Sequence, residues 1–316
     1  MREEKLFSFA VITYKRFGGV IKTVESVFQQ DYPRIELILS DDGSENYYDA
    51  IDEIRSYIEA NKPENVENIV YSHLPQNQGT VKNINNAVNK ANGEFFKALG
   101  GGDVLACPDA LSRYARYLEE HKVRIVFSKL EGITPDGTIV KHLASCEENY
   151  DLLRSFSCEQ LCDRLCARNC LPAPAWCATR ELFERNGFFH EDVKLIEDYP
   201  YWITLCRNQE KIGFMDDVLI RYQLDGVSSA GSYGVQFMKD LFIIYQNYIF
   251  PYDRRMGVFQ PVYNALKSGG LQAYMAKAEW GKYSAAEKAK AYMKYGLFFL
   301  YIKLGNMRMA LRNKQR

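Results

Sequence analysis

The chain has 316 residues, enough for one large domain or a domain plus an extension, and 47% of them are hydrophobic, so a sizeable core follows. Lys plus Arg and Asp plus Glu both number 40, a formal net charge of zero that argues against a generally basic nucleic-acid binder. No apolar run approaches the roughly 20 residues of a membrane-spanning helix and no apolar leader follows Met1, so the reading is cytoplasmic, with the 8 cysteines reduced.

In chain order, Leu6–Thr13 reads as a buried strand and Gly18–Gln30 as a helix with Val20, Val24, Val27 and Phe28 on one stripe. A second strand spans Ile35–Leu39. A helix over Tyr47–Ala60 carries Ile51, Ile54 and Ile58 on one face. Then come a short strand at Ile69–Tyr71, a helix at Thr80–Ala91 and a strand at Glu94–Leu99 that runs into glycines. Leu111–Leu118 is helical and Arg124–Ser128 extended. Such β-α alternation implies right-handed crossovers and an α/β fold around a mainly parallel sheet. The pattern then changes. Ile133–Val140 reads as a hairpin about Pro135-Asp136-Gly137, and Glu147–Asn169 as one helix. Arg180–Asn186 and Glu197–Arg207 are further helices, with Val218–Leu224 extended. From about Ser232 onward the chain is helical and aromatic. The expected division is residues 1–230 and a helical extension over 231–316.

Three acidic clusters carry the chemistry. Asp41-Asp42-Gly43-Ser44 follows a strand, at the sheet edge where open α/β sheets bind ligands. The first strand ends beside it in Thr13-Tyr14-Lys15-Arg16. Between the two edges Tyr14 can stack on a base, Asp42 can accept from it, and Lys15 or Arg16 can neutralise phosphate. The competing reading is a turn with Ser44 as helix N-cap. Next, Gly100-Gly101-Gly102-Asp103 follows another strand. Its carboxylate suits a divalent cation bridging a diphosphate, and Gly101 and Gly102 let the backbone approach phosphates closely; the alternative is a plain strand-to-helix loop. Finally, Glu197-Asp198 opens a helix. One acid can act as general base on a sugar hydroxyl, or both can simply complement the helix dipole.

Cys158, Cys162, Cys166 and Cys170 recur at every fourth position, which reads as an apolar stripe rather than a tetrahedral metal site. The four histidines have no paired spacing and receive no role. After Glu287 there is no acid, and eight Lys and Arg interleave with aromatic and aliphatic residues. That tail is either a helix packed on the main domain or a peripheral membrane contact.

Together these motifs resemble the family 2 glycosyltransferases of the GT-A fold. Ala10-Val11-Ile12-Thr13-Tyr14-Lys15-Arg16, Ser26-Val27-Phe28-Gln29-Gln30-Asp31-Tyr32-Pro33, Glu36–Ser44, Asn77-Gln78-Gly79 and Asn83 through Glu94 come in the family's order, from about Phe7 to Ser229. The resemblance implies that Thr13, Tyr14, Arg16 and Asp42 contact the nucleotide. It puts Asp103 at the last acid of the family's metal motif, with Mg²⁺ or Mn²⁺, and makes Asp198 the base of an inverting transfer. The implied donor is a nucleotide-diphospho-sugar, and the implied acceptor a glycan or lipid-linked glycan of cell-surface polysaccharide. Gly100 and Gly102 stand where the family often carries acids, which leaves a second reading open: a nucleotide-sugar-binding protein with little transferase activity. The family's His after the last core strand is absent, with Asp225 or Ser228 as substitutes.

Overall fold

The structure, a computed structural model, describes residues 4–141, 144–224, 234–291 and 293–296. The chain forms two compact units, Met1–Ala230 and Gly231–Arg316.

The first unit is built on β1 (Phe7–Thr13), α1 (Val20–Phe28), β2 (Ile35–Asp41), α2 (Tyr47–Asn61), β3 (Val66–His73), α3 (Thr80–Lys90), β4 (Phe95–Gly100), β5 (Val104–Leu105) and α4 (Ala110–Glu120). It continues through β6 (Ile125–Ile133), β7 (Ile139–Val140), α5 (Ala144–Ser155), α6 (Cys158–Ala167), β8 (Trp176–Thr179), α7 (Arg180–Asn186), α8 (Asp198–Arg207) and β9 (Ile212–Gln223). The sheet order is β3-β2-β1-β4-β8-β6-β9-β5, with β7 paired to β6. The four strands from β3 to β4 are parallel. β8 then enters antiparallel to both β4 and β6, and β9 runs parallel to β6. This mixed, mostly parallel sheet flanked by helices is the GT-A fold.

The central strands are buried on both faces, and alternate residues point to opposite sides of the sheet. Phe7, Phe9 and Val11 of β1, Ile35, Leu37 and Leu39 of β2, and Phe95 and Leu99 of β4 share one core with α1, α2 and α4. Burying each such side chain contributes roughly 1.5–3 kcal/mol. Truncating one, as in Phe9→Ala, costs about 3–5 kcal/mol. The opposite face carries polar residues that staple the layers. Glu36, 1% exposed, accepts from Ser8 Oγ (2.7 Å), Asn92 N (2.9 Å), Asn92 Nδ2 (2.8 Å) and Asn68 Nδ2 (3.2 Å). Burial pushes this carboxyl up, but the hydrogen bonds outweigh it and hold the group below its ordinary value.

The hairpin forms as expected: Gly132 and Ile133 pair with Val140 and Ile139. Several elements differ from the sequence reading. The single helix over Glu147–Asn169 is two, α5 and α6. Ser157 caps α6 in a reciprocal box with Gln160, and that start signal overrides the continuous helical period. Cys158, Cys162 and Cys166 therefore ride on a ten-residue helix, with Cys170 beyond its end. β3 and β9 are longer than the short strands read from sequence: polar Asn68, Ser72 and His73 still pair in β3, and Ile212–Phe214 pair with β6 ahead of a register shift in β9. β8 had no counterpart in the sequence reading at all.

In the second unit, α9 (Val235–Ile244) continues through a π-helical turn at Tyr245–Ile249, and α10 (Gln260–Ala278) follows a 3₁₀ turn at Gly257–Phe259. Among the described residues no helix is long and apolar enough to cross a membrane. Asp225, Ser228 and the basic tail from Leu297 onward lie outside the described residues.

Candidate active site

The three central strands end together. Thr13 of β1 sits opposite Asp41 of β2, and Ile12 opposite Gly100 of β4. The Thr13 carbonyl accepts from Asp42 N (3.0 Å) and Asn83 Nδ2 (3.2 Å), and Asn83 also bonds Ser40 through Oδ1 (2.7 Å) and Nδ2 (3.1 Å). One buried asparagine on α3 thus ties the β1 and β2 edges. The loop after β1 is equally constrained. Lys15 adopts a left-handed φ of 59°, and its amide donates to Ser44 Oγ (2.7 Å). Arg16 N donates to Tyr14 O (2.7 Å). Tyr14 and Arg16 stay exposed at this edge, with the Lys15 ammonium 5.4 Å from the Tyr14 ring centroid. Gly19, at the end of the same loop, meets Gly102: a Cβ there would lie 2.6 Å from Gly102 Cα. The structure therefore brings Thr13, Tyr14, Arg16, Gly101 and Gly102 to one edge.

The adjacent aspartates do different work. Asp41 accepts from Ser44 Oγ (2.6 Å) on Oδ1, and from Ser44 N (2.7 Å) and His73 Nδ1 (2.7 Å) on Oδ2. The His73 ring stacks on Tyr47 with centroids 4.1 Å apart. Ser44 is not the helix cap; Asn46 occupies that position, and Ser44 instead joins Asp41 to the β1 loop. Asp42, 3% exposed, spends one oxygen on Gln78 N (2.7 Å) and the other on Gly79 N (2.8 Å). Burial pushes its carboxyl above the ordinary value against those two amides and the charge of Lys194. Whatever it offers a nucleotide, Asp42 fixes the start of α3.

Asp103 is buried, and its Oδ1 accepts from Gln223 N (2.8 Å) of β9. The glycines around it explain its isolation. Gly102 has φ +113°, and a Cβ there would fall 1.9 Å from Gln223 Oε1, so the Gln223 amide fills the place of a side chain. At Gly100 a Cβ would meet only Asp103 Oδ2, at 3.5 Å. No group of three His, Cys, Asp or Glu that could hold a metal occurs among the described residues. One carboxylate with an oxygen already engaged does not fit a preformed divalent site, for which a hard cation needs several oxygens.

Glu197 and Asp198 begin α8. Glu197 stands at the N-cap position without a side-chain cap bond, and Asp198 lies in the first turn, where the helix dipole favours an acid. Asp198 is buried, and its Oδ2 accepts from Asn169 Nδ2 (2.7 Å), just beyond α6. Burial raises the Asp198 carboxyl, opposed by the Asn169 bond, and burial with the Asp198 charge raises Glu197. The helix itself is fixed by Tyr199 OH to Leu165 O (2.6 Å) and by Trp202 against Phe127 and Trp176. The preceding segment is stitched to α3: Asn85 exchanges hydrogen bonds with the Phe189 backbone, and Val81 N donates to Lys194 O (3.2 Å). Lys194 crosses Gly79, whose φ of +99° leaves no room for a side chain. Asp198 follows four residues later, at most roughly 14 Å along the chain from Lys194.

The family model described as "Glycosyl transferase family 2" matches residues 8–167, half of the chain. This chain belongs to glycosyl transferase family 2. It is 22% identical to an uncharacterized glycosyltransferase of Methanocaldococcus jannaschii over 70% of this chain and 72% of that protein. It is 24% identical to the poly(ribitol-phosphate) beta-N-acetylglucosaminyltransferase TarS of Staphylococcus aureus over 68% of this chain. It spans only about a third of the length of that relative (35%) and of a Rickettsia felis glycosyltransferase (33%). Among solved structures, the mannosyltransferase PcManGT of Pyrobaculum calidifontis, in complex with GDP-Man and Mn²⁺, superposes with a TM-score of 0.60 at 17% identity. That likeness covers 99% of this chain and 87% of the other. S. aureus TarS 1-349 with UDP-GlcNAc gives 0.56 at 18%, covering 86% and 81%. At these identities the structural likeness speaks for the fold.

For this glycosyltransferase, the family match ends at residue 167, so Glu197-Asp198 lies beyond it. Several residues that shape the site had no assigned role in the sequence reading. His73 is one, since histidine without paired spacing gave no signal. Asn169 and Gln223 are others, each joined to its acid across 29 and 120 residues. Asn83 had a signal, as a polar residue among the apolar positions of an amphipathic helix.

Proposed function

We propose that this glycosyltransferase transfers one sugar, with inversion, from a nucleotide-diphospho-sugar to a hydroxyl of a glycan or lipid-linked glycan in cell-surface polysaccharide synthesis. The observation that carries the reading is Asp198: a buried carboxylate held by a side-chain amide, with its proton affinity raised and a second acid beside it. Asp198 removes the acceptor proton as the oxygen attacks the anomeric carbon. The new C–O bond forms on one face while the bond to the diphosphate breaks on the other. A base with raised affinity is matched to this task near neutral pH. Asn169 and the amide of Tyr199 favour the anion of Asp198, so Glu197, with fewer donors, keeps the proton the pair shares. Thr13, Tyr14 and Asp42 border the base and ribose, and Arg16 faces the diphosphate beside the loop of Gly101 and Gly102, whose amides are held by Ile12 O (3.1 Å) and Thr23 Oγ1 (2.9 Å). The relatives' donors, UDP-GlcNAc and GDP-Man, support the donor class. Mn²⁺ accompanies GDP-Man in the mannosyltransferase. Here Asp103 is the residue that would hold a cation, with donor phosphates supplying further oxygens, and no step is assigned to a metal.

The test begins with a thermal-shift screen of UDP-, GDP-, CDP- and dTDP-sugars, with Mn²⁺, Mg²⁺ or EDTA. A ligand bound by the native state raises the melting point by mass action. With the donor identified, Asp198→Asn keeps the donor shift and loses about 10²–10⁴-fold in transfer. Normal turnover in that variant sinks the assignment. The glycines at 100 and 102 favour the second reading, a nucleotide-sugar-binding protein with little transferase activity; a donor shift with neither transfer nor release of the nucleotide would establish it.

A further inference from the structure

We infer that the C-terminal unit carries a docking surface for an anionic lipid bilayer, centred on the turn that opens α10. Twelve large hydrophobic residues are exposed in the described chain, and six of them fall between Tyr252 and Leu266. Val258 is 88% exposed and Phe259 67%. Phe259, Val262 and Leu266 recur at three- and four-residue spacing, so they form one stripe along the start of α10, with Val258, Met256 and Tyr252 continuing it. In water such a cluster is unfavourable, and single exposed apolar residues are ordinary where contiguous ones are not.

The turn is held in place. Asp253, buried, accepts from Arg255 N (3.1 Å), Nε (2.8 Å) and Nη2 (2.8 Å). Gln260, also buried, accepts from Met256 N (3.0 Å) and donates to Asn264 Oδ1 (2.8 Å). Phe259 N closes the turn on Met256 O (3.0 Å). The fold therefore presents Val258 and Phe259 outward from a hydrogen-bonded base.

Charge selects the occupant. From Gly231 to Arg316 there are 14 Lys and Arg against 4 Asp and Glu, a formal +10 in a chain whose total is zero. Within the described part, Arg254 and Lys267 flank the stripe in sequence, while Arg255 is paired with Asp253. Two copies meeting through this surface would bring like charges together, whereas an anionic bilayer attracts the basic residues and takes up the apolar ones. Either signal alone gives weak, reversible membrane binding, and the two together give a stable one. The surface stands apart from the transfer reaction, and its test does not depend on the donor or on Asp198.

Flotation of the full chain with phosphatidylcholine vesicles, with and without phosphatidylglycerol, at low and high salt, tests it. The expected result is binding to the anionic vesicles, weakened about tenfold or more on neutral ones and by salt. Phe259→Asp with Val262→Asp should lose about tenfold in binding with an unchanged melting point. A second probe guards against misfolding of that variant: Phe259→Trp should add an indole emission that blue-shifts on anionic vesicles. No flotation, flotation untouched by the aspartates, an emission of the Phe259→Trp variant that ignores vesicles, or a dimer that the aspartates dissociate overturns the proposal. So does equal binding to duplex DNA that the aspartates leave intact, since that would make charge alone the cause.

Discussion

Replacing Lys97 by methionine should stabilise the protein at neutral pH and remove a defined part of its pH dependence. Lys97 is fully buried in β4. Its Nζ donates to Pro174 O (2.6 Å) and lies 5.8 Å from the ring centroids of Tyr114 and Trp176. Burial pulls the ammonium from 10.5 down to about 7, against weaker upward pulls from Cys177 and Asp103. At about 1.4 kcal/mol per pH unit, that displacement corresponds to roughly 5 kcal/mol of penalty on the charged form, an upper bound. Losing the hydrogen bond to Pro174 returns about 1 kcal/mol. The methionine variant should therefore be more stable by up to roughly 4 kcal/mol below pH 7. The unfolded chain keeps its lysine proton to near 10.5, while the folded protein releases it near 7. Between these values the unfolded state binds more protons, so wild-type stability rises with pH relative to the variant, by at most about 1.4 kcal/mol per unit. Urea denaturation of both proteins at intervals from pH 6 to about 10 measures the gap. A gap that stays constant over that window, or a variant less stable at pH 7, refutes the reasoning and means that Lys97 keeps its charge inside.

Asp42→Asn replaces an oxygen that accepts from Gln78 N or Gly79 N with a second donor; it should cost about 1–3 kcal/mol in urea melts and weaken the donor-induced thermal shift as well. Asn169→Ala removes a bond that lowers the proton affinity of Asp198, so the acidic limb of the kcat profile should move to higher pH while KM for the donor holds; an unmoved limb would make Asn169 merely structural. Gly100→Asp places a second carboxylate beside Asp103 Oδ2, so Mn²⁺ should raise the variant's melting temperature more than the wild type's, whereas Gly102→Asp collides with Gln223 and should lower stability without gaining metal.

The parallel half of the sheet was legible because each strand and helix there carries its own period and its own stop signal. The Gly100–Gly102 run after β4 marked the ligand edge directly, since the chain turns there from strand to loop. β8 was not legible. It has four residues, follows Pro172 and Pro174, and becomes a strand only because β4 and β6 leave a gap between them that it bridges. The break between α5 and α6 was written in Ser157 and Gln160, but a helical period that continues across Phe156 obscures a cap. The pairing of Asp103 with Gln223 and of Asp42 with Gln78 and Gly79 joins residues far apart in sequence, and no local pattern specifies it.

The acids that look alike in sequence separate by what their oxygens hold. Asp42 holds two backbone amides, and Asp41 holds Ser44 and His73. Those bonds shape the edge and hold both side chains in place. Asp103 holds β9 through Gln223, and the left-handed φ of +113° at Gly102 disfavours a second acid there, so among the described residues no group of three His, Cys, Asp or Glu gathers to hold a metal. Asp198 differs. Its donors include a side-chain amide, Asn169, beside the backbone amide of Tyr199, and its neighbour is another acid. Burial has already raised its proton affinity toward the range where a base works. Under the proposed mechanism those surroundings suit Asp198 to exchange a proton, while Asp41, Asp42 and Asp103 hold the sheet edge together.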